Sequence, residues 1–149
     1  MTDVRFYHLQ RMALERALPK LLEKVLQSGA RAVVMVGSEE RLAALDTALW
    51  TFDPNSFLAH GTSRDGRPHE QPIFLTTGDE NPNRASVLVL ADGARSQRMA
   101  DYEKCLEIFD GNDAEAVAAG RERWRAYREA GFALTYWQQD DSGRWQRRE

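Results

Sequence analysis

Three arginines share one side of a predicted helix near the C-terminal end of the chain. Arg121, Arg125 and Arg128 are spaced at i, i+4 and i+7. Trp124 and Val117 fall in the same sector, because successive helical residues turn by about 100°. Guanidinium groups bind carboxylates in a forked geometry, and an indole packs against apolar groups. The pattern predicts a binding site for a ligand with one anionic and one apolar end.

A solvated helix face would explain the same arginines. Glu122 and Glu129 lie three and four residues from Arg125, and such pairs stabilise a helix by about 0.2–0.5 kcal/mol each. An apolar face must also pack on the rest of the protein. Val117, Gly120, Trp124 and Tyr127 supply that face. From the residues alone, the binding and the solvated-face interpretations are both open.

A polar loop from His60 to Glu70 offers a different chemistry. It contains His60, His69 and several hydroxyl and carboxyl groups, which are the residue types that general acid–base catalysis uses. Their spacing matches neither a nucleophile elbow nor an H-E-x-x-H motif. We interpret it as a surface loop and keep a hydrolase-like enzyme acting through the His60–His69 loop as an alternative. Cys105 is interpreted as a small buried side chain rather than a nucleophile.

The turn that follows the apolar run 32–36 disfavours nucleotide binding. It reads Gly37-Ser38-Glu39-Glu40-Arg41. A phosphate loop needs several glycines whose backbone N–H groups approach the anion, and usually a lysine. Here one glycine precedes two carboxylates that would repel phosphate. No glycine-rich phosphate motif occurs elsewhere in the chain, and we expect no cofactor and no metal.

The bulk composition fits one cytoplasmic globular domain. The chain has 149 residues, of which 42% are hydrophobic and 29% charged, and its formal net charge is -3. We expect a single domain over residues 1–139 and a frayed polar tail over 140–149. The single cysteine rules out an internal disulfide. We expect neither a signal peptide nor a membrane span, because the N-terminus shows no basic region followed by a long apolar run and no apolar run reaches the length that a span needs.

Strands and helices are predicted to alternate along the chain. Periodicity and turn residues predict strands over 4–9, 32–36, 57–59, 73–75, 86–90, 105–109 and 132–137. They predict helices over 13–28 (or from Pro19), from Ser38 to Trp50, from Ala94, and from Asn112 or Asp113 to Gly131. Alternation with two wholly apolar strands indicates an α/β three-layer sandwich. Its mostly parallel sheet has helices on both faces and is Rossmann-like without a nucleotide-binding loop.

Three segments together resemble a known family. They are Phe6-Tyr7-His8-Leu9, the run Leu45-Asp46-Thr47-Ala48-Leu49-Trp50 with Asn55-Ser56-Phe57, and the block from Gly120 to Phe132. This pattern is similar to that of the chi subunit of bacterial DNA polymerase III holoenzyme, and it covers almost the whole chain. The resemblance implies an α/β fold without a phosphate loop and without catalytic activity.

The same resemblance implies two protein partners. Members of the family bind the psi subunit, which joins them to the clamp loader. They also bind the C-terminal tail of single-stranded-DNA-binding protein, which is acidic and ends in a phenylalanine bearing the terminal carboxylate. The implied function is a replisome adaptor that reaches DNA only indirectly. Direct binding of single-stranded nucleic acid by stacking and phosphate contacts is an alternative that the acidic net charge disfavours.

Site residues follow from the resemblance position by position. Arg121 is the expected partner of the terminal carboxylate, and Trp124 and Arg125 stand where the family often has Tyr and Lys. Arg128 completes the cationic row, and Trp50 is expected to complete the pocket wall for the apolar end of the tail. Phe57 is the expected psi contact. The chain departs from some members at Val117, where they have a basic residue, and at Asp110, where they have an apolar one.

Overall fold

Eight strands and three α-helices make up the part of the chain that the computed structural model describes, residues 2–10, 12–51 and 60–148. The helices are α1 (Leu14–Gln27), α2 (Glu39–Thr51) and α3 (Ala114–Glu129). The strands are β1 (Asp3–Leu9), β2 (Ala32–Met35), β3 (His60–Gly61), β4 (Ile73–Thr76), β5 (Val87–Ala91), β6 (Lys104–Asp110), β7 (Ala133–Gln139) and β8 (Trp145–Arg147).

All eight strands belong to one sheet in the order β3-β4-β2-β5-β6-β1-β7-β8. The first seven pair in parallel, and only β8 runs antiparallel, against β7. Every residue of β2, β4 and β5 is buried, as expected for strands covered on both faces. The predicted α/β sandwich with a mostly parallel sheet is therefore confirmed.

The alternation of side chains along β1 divides the core between the two faces of the sheet. Tyr7 and Leu9 pack with α1 and α2 on one face. Val4 and Phe6 pack on the other face, which α3 covers through Tyr127 and the half-buried Trp124. Period two is the geometry of any strand, so His8 must follow Phe6 onto the α3 face. This places a polar residue under the arginine-bearing helix.

Several predicted elements have different bounds. Helix α1 begins at Leu14, so it contains Pro19 and does not begin there. In place of the helix predicted from Ala94, the structure has a single 3₁₀ turn at Met99–Asp101. The predicted strand at 57–59 lies outside the described residues. The largest difference between prediction and structure is at the C-terminal end. A frayed tail is predicted there, but Trp145–Arg147 form a strand that pairs with β7.

The carboxyl end of the sheet is arranged differently from a nucleotide-binding fold. A Cβ on Gly37 would lie 2.5 Å from the carbonyl oxygen of Asp92, so glycine is needed there for close packing of two turns. Arg41, on the first turn of α2, forms salt bridges with Asp92 and Glu15. A phosphate loop would need this space free and cationic. No helix in the described ranges is long and apolar enough to cross a membrane.

Candidate functional site

Helix α3 is fixed at both ends by its own residues. The side chain of Asp113 accepts hydrogen bonds from the backbone N–H groups of Glu115 and Ala116, which makes it the N-cap. Gly131 follows the helix with φ of 92°, a left-handed conformation that favours glycine. Between these ends, the Phe109 ring packs directly against Gly120. The helix is thereby held against β6 over its middle turn.

A buried ion pair fixes the rotation of α3. Arg123 Nε donates to Glu107 Oε2 at 3.1 Å, and the Tyr127 hydroxyl donates to the same oxygen at 2.5 Å. Burial raises the pKa of Glu107, and the positive charge of Arg123 opposes that rise. Because Arg123 and Tyr127 point inward, the residues on the other side of the helix must point outward. Arg121 and Arg125 are accordingly exposed.

A hollow of about 490 Å³ lies between α3 and the part of the sheet formed by β1 and β7, next to the β8 edge. Helix α3 contributes Arg121, Trp124 and Arg125 to its lining. The sheet contributes His8, Tyr136 and Gln138, and Arg148 follows from the end of β8. We call this surface the Arg121 hollow. It brings together three guanidinium groups and several aromatic rings.

Aromatic contacts form the inner wall of the Arg121 hollow. The Trp124 ring lies edge-on to Phe6 at 5.2 Å and to Tyr136 at 5.8 Å between centroids. The Tyr136 hydroxyl is 2.6 Å from Nδ1 of His8. Edge-on aromatic pairs contribute about 0.5–1.5 kcal/mol beyond the area that they bury. The wall is therefore well packed and partly apolar, and it lies beside the arginines.

The electrostatic field of the hollow is positive. Burial is the main cause that lowers the pKa of His8, and the charge of Arg121 lowers it further, while Asp110 acts in the opposite direction. Burial raises the pKa of Tyr136, and Arg121 opposes that shift. No salt bridge or side-chain hydrogen bond between described residues engages the guanidinium of Arg121, Arg125 or Arg148. An anion in the hollow would meet guanidinium groups whose hydrogen-bond donors are still available.

Three of the five predicted tail-binding residues come together, and Arg128 and Trp50 do not. Arg121, Trp124 and Arg125 line the hollow, as the helical spacing predicts. Arg128 is exposed one turn further along and does not line it. Val117 packs against the α3-side core instead.

Trp50 lies elsewhere, so the prediction that it shares a wall with Trp124 is wrong. Trp50 ends α2 and packs on His60 of β3, with ring centroids 4.2 Å apart. Strand β3 is at one edge of the sheet, whereas Trp124 contacts β1 and β7 near the other edge. The five strand spacings from β3 to β1 amount to roughly 24 Å at about 4.8 Å each. Phe57, the predicted psi contact, lies outside the described residues.

Four residues of the hollow were missed as functional candidates. The sequence patterns do not single out His8, Tyr136, Gln138 or Arg148 as binding residues. Period two along β7 puts Tyr136 and Gln138 on one face, so their common direction could have been predicted. The position of Arg148 could not be predicted, because the polar residues 140–149 indicate a frayed tail more clearly than a hairpin.

The histidines of the proposed catalytic loop do not form a catalytic group. The His60 side chain is buried, and its Nε2 lies 3.0 Å from a carboxylate oxygen of Asp46. The His69 side chain is 70% exposed and lies beside Glu70. Cys105 is buried as predicted, and burial raises its pKa to about 12, far from that of a reactive thiolate. Within the described ranges, no three His, Cys, Asp or Glu side chains are placed to hold a metal ion.

Sequence comparison identifies the family of this α/β chain. The sequence pattern of the family described as "DNA polymerase III chi subunit, HolC" matches residues 1–135. The chain belongs to the chi subunit family. Chi is an accessory subunit of the polymerase III holoenzyme and is not itself catalytic, so the family assignment agrees with the loop geometry.

Individual relatives are distant but consistent. The chain is 28% identical over 109 residues to a probable DNA polymerase III subunit chi of Rickettsia prowazekii, a match that covers 73% of this chain and 66% of that one, just under two thirds of its length. It is 26% identical over 137 residues to the subunit chi of Pseudomonas aeruginosa, covering 90% and 94%. For the Escherichia coli subunit chi, the values are 24% over 123 residues, with 82% and 83% covered.

Proposed function

We propose that this chi-family protein is a non-catalytic adaptor of the replisome. In this proposal it binds the acidic C-terminal tail of single-stranded-DNA-binding protein in the Arg121 hollow. It binds the psi subunit of the clamp loader at a separate surface. The observation that carries the first part is the position of Arg121, an exposed guanidinium beside a packed aromatic wall and without a carboxylate partner among the described residues.

Tail binding would use the two properties of the hollow together. The guanidinium of Arg121 can accept a terminal carboxylate in a bidentate pair, which is about twice as strong as a neutral hydrogen bond. The apolar side chain of the last residue would pack on Trp124 and Tyr136, which both line the same hollow. The remaining arginines would attract the acidic part of the tail and speed its association. No step requires a bond to be made or broken.

The decisive experiment is a titration with a synthetic acidic peptide that ends in phenylalanine. Arg121→Ala should weaken binding by roughly ten- to hundredfold. Arg128→Ala removes the same charge from the same helix outside the hollow and should cost about threefold or less. Amidation of the peptide C-terminus should reduce wild-type affinity as Arg121→Ala does. Equal affinity for the free and amidated peptides would refute the carboxylate clamp.

The psi surface is proposed for the opposite edge of the sheet. Trp50 is the one large hydrophobic side chain in the described ranges that is strongly exposed, at 52%. It lies immediately before the segment that contains Phe57. Exposed tryptophans are enriched among residues that dominate protein interfaces. We therefore assign Trp50 to the proposed psi surface with Phe57, and remove it from the tail site.

Two variants separate the surfaces. Trp50→Ala should reduce co-purification with the psi subunit and leave peptide affinity within about twofold. Trp124→Ala should weaken peptide binding and leave co-purification with the psi subunit unchanged.

A single-stranded oligonucleotide should bind the protein weakly in the absence of single-stranded-DNA-binding protein. Tight oligonucleotide binding with a steep salt dependence would favour direct nucleic-acid recognition instead.

A further inference from the structure

The C-terminal hairpin places Arg148 across the hollow from α3. The match to the chi family ends at Thr135, so the second half of β7 and all of β8 lie beyond it. The N–H of Arg148 donates to the carbonyl of Tyr136 at 2.8 Å. The two residues are cross-strand neighbours, whose side chains leave the sheet on the same face. Arg148 therefore lies on the α3 face, beside an aromatic wall residue.

Packing of β8 supports this orientation independently. Trp145, three residues before Arg148, lies edge-on to Tyr7 at 5.0 Å and packs with the core on the α1 face. Alternation along the strand puts Arg147 on the α1 face as well, and Arg148 on the opposite one. Only Arg148 of this pair lines the Arg121 hollow. The hairpin is thus anchored on one face and presents a guanidinium on the other.

The turn of the hairpin is held by one carboxylate. Asp140 accepts hydrogen bonds from the N–H and the hydroxyl of Ser142, from the N–H of Arg144 and from the side-chain amide of Gln146, at 2.6 to 3.1 Å. A turn with these contacts fixes the register of β8 on β7. The position of Arg148 consequently follows from the local structure and not from a flexible tail.

We propose that the β7–β8 hairpin extends the peptide site of this chain and that Arg148 binds a side-chain carboxylate upstream of the peptide's C-terminus. This inference rests on the proposed function. Arg121 and Arg125 are four residues apart on α3, a rise of about 6 Å, and Arg148, which follows the last residue of β8, lines the same hollow from the side of Tyr136. In this proposal, a peptide whose terminal carboxylate is at Arg121 and whose last side chain is on the aromatic wall continues over the β8 side of the hollow. Its acidic residues then meet Arg148.

The proposed role of Arg148 also predicts which peptides the hairpin favours. A peptide with a C-terminal carboxylate alone would use only the α3 side of the hollow. A peptide with an additional carboxylate a few residues upstream would use both sides, and the two guanidinium groups would hold it in an extended conformation. The hairpin therefore favours tails that are both acidic and apolar-ended over tails that are only apolar-ended. Arg148 is a specificity residue in this proposal.

A peptide series tests the assignment against a matched control. The probe is a synthetic heptapeptide with four aspartates, two apolar residues and a C-terminal phenylalanine, and its binding is measured by calorimetry at constant ionic strength. Arg148→Ala should weaken binding about five- to tenfold. Arg147→Ala removes an equal charge from the adjacent residue of β8, on the other face, and should cost less than about twofold.

Changes in the peptide show which group Arg148 contacts. With the aspartates replaced by asparagines, the effect of Arg148→Ala should disappear, and with an amidated C-terminus it should persist. Equal effects of Arg148→Ala and Arg147→Ala would overturn the inference. So would an Arg148→Ala effect that disappears on amidation. If the wild-type protein binds none of these peptides, the proposed function itself fails, which distinguishes the two outcomes.

Discussion

Arg123 and Glu107 form an ion pair that is buried on both sides, with Nε and Oε2 at 3.1 Å and side chains only 9% and 2% exposed. Two residues earlier on the same helix, Arg121 is exposed and lines the candidate site. The inward arginine anchors the helix, and the outward one is available to a ligand. Two arginines only two residues apart on α3 thus have different roles, one in stability and one at the candidate site.

The two arginines should separate stability from binding. Arg123→Ala leaves the Glu107 carboxylate buried without its counter-charge, which should lower the free energy of unfolding by about 3–5 kcal/mol. Arg121→Ala should change it by no more than about 0.5 kcal/mol. Urea denaturation followed by tryptophan fluorescence measures both. Similar losses in the two variants would contradict the division of roles.

The pH dependence of the free energy of unfolding provides a second test, because the pKa shift of Glu107 predicts its direction. Burial raises the pKa of Glu107 in the folded protein, so this group favours folding in its protonated form. The stabilisation that protonated Glu107 contributes is complete below the pKa that Glu107 has in the unfolded chain. It is lost as the pH rises through the pKa that Glu107 has in the folded protein. Without Arg123 the folded pKa must rise further. The stability deficit of Arg123→Ala should accordingly narrow as the pH falls from 7 to 5.

The sheet and the helix could be predicted from sequence because each has a strong period. The apolar runs of β2 and β5 require cover on both faces, and the 3.6-residue pattern of α3 follows the packing of Trp124 and Tyr127 on Phe6. The same reasoning placed Arg121, Trp124 and Arg125 on one side. What the sequence could not supply was the partner surface across the hollow, since pairing of β7 with β8 depends on contacts between distant residues.

Two further errors have the same physical origin. Arg123 was not recognised as a core residue, because its burial depends on Glu107, 16 residues away on another element. The prediction that Trp50 and Trp124 form one pocket wall comes from the family resemblance and not from geometry. Only the strand order shows that α2 ends near β3, far from the α3 side of β1 and β7. Local periodicity gives the direction of a side chain on its own element, but not which other element lies opposite.

Two glycines should respond oppositely to alanine. A Cβ on Gly120 would lie 3.5 Å from the Phe109 ring, which is ordinary van der Waals contact, and alanine favours a helix by about 1 kcal/mol over glycine. Gly120→Ala should therefore stabilise the protein by about 0.5–1 kcal/mol. A Cβ on Gly111 would lie 2.0 Å from the His8 ring and 2.4 Å from the Leu9 carbonyl oxygen. Gly111→Ala should destabilise by about 1–3 kcal/mol.

Thermal unfolding of the two glycine variants measures these changes. The Gly111 variant should also lose affinity for the acidic peptide, because His8 must move away from Tyr136. The Gly120 variant should bind like the wild type. Destabilisation by Gly120→Ala would show that the helix approaches Phe109 more closely than the contact distances indicate.

His8 should make peptide binding depend on pH. Its pKa is lowered mainly by burial and then by Arg121 on α3, while Asp110 at the end of β6 opposes the shift and Tyr136 on β7 contacts Nδ1. A carboxylate bound at Arg121 would offset that positive charge and raise the His8 pKa. Binding then takes up a proton, so affinity should rise as the pH falls, by roughly threefold or more between pH 8 and 5.5.

The control for this pH effect is His8→Asn, which keeps a polar group near the Tyr136 hydroxyl but does not titrate. Its affinity should be nearly constant over the same range. The peptide carboxylates have ordinary pKa values near 4 and stay ionised throughout. A wild-type affinity that is flat, or one that falls with falling pH, would exclude His8 from the field of the bound carboxylate.

Asp140 should control the order of the hairpin. Hydrogen bonds from Ser142, Arg144 and Gln146 lower its pKa to about 2. A lowered carboxyl pKa means that the contacts are complete above the pKa of the unfolded chain and are lost only as the pH falls through about 2. The hairpin should therefore be intact at neutral pH, and Asp140→Ala should loosen it there.

Amide hydrogen exchange of the Arg148 N–H, which donates to Tyr136, measures this loosening directly. Asp140→Ala should remove most of its protection and leave the amides of β1 and β6 unchanged. Because Arg148 would then no longer be held across from α3, the acidic peptide should bind this variant as weakly as it binds Arg148→Ala. Retained protection together with wild-type affinity would mean that the Trp145–Tyr7 packing alone orders the hairpin and that the turn contacts are dispensable.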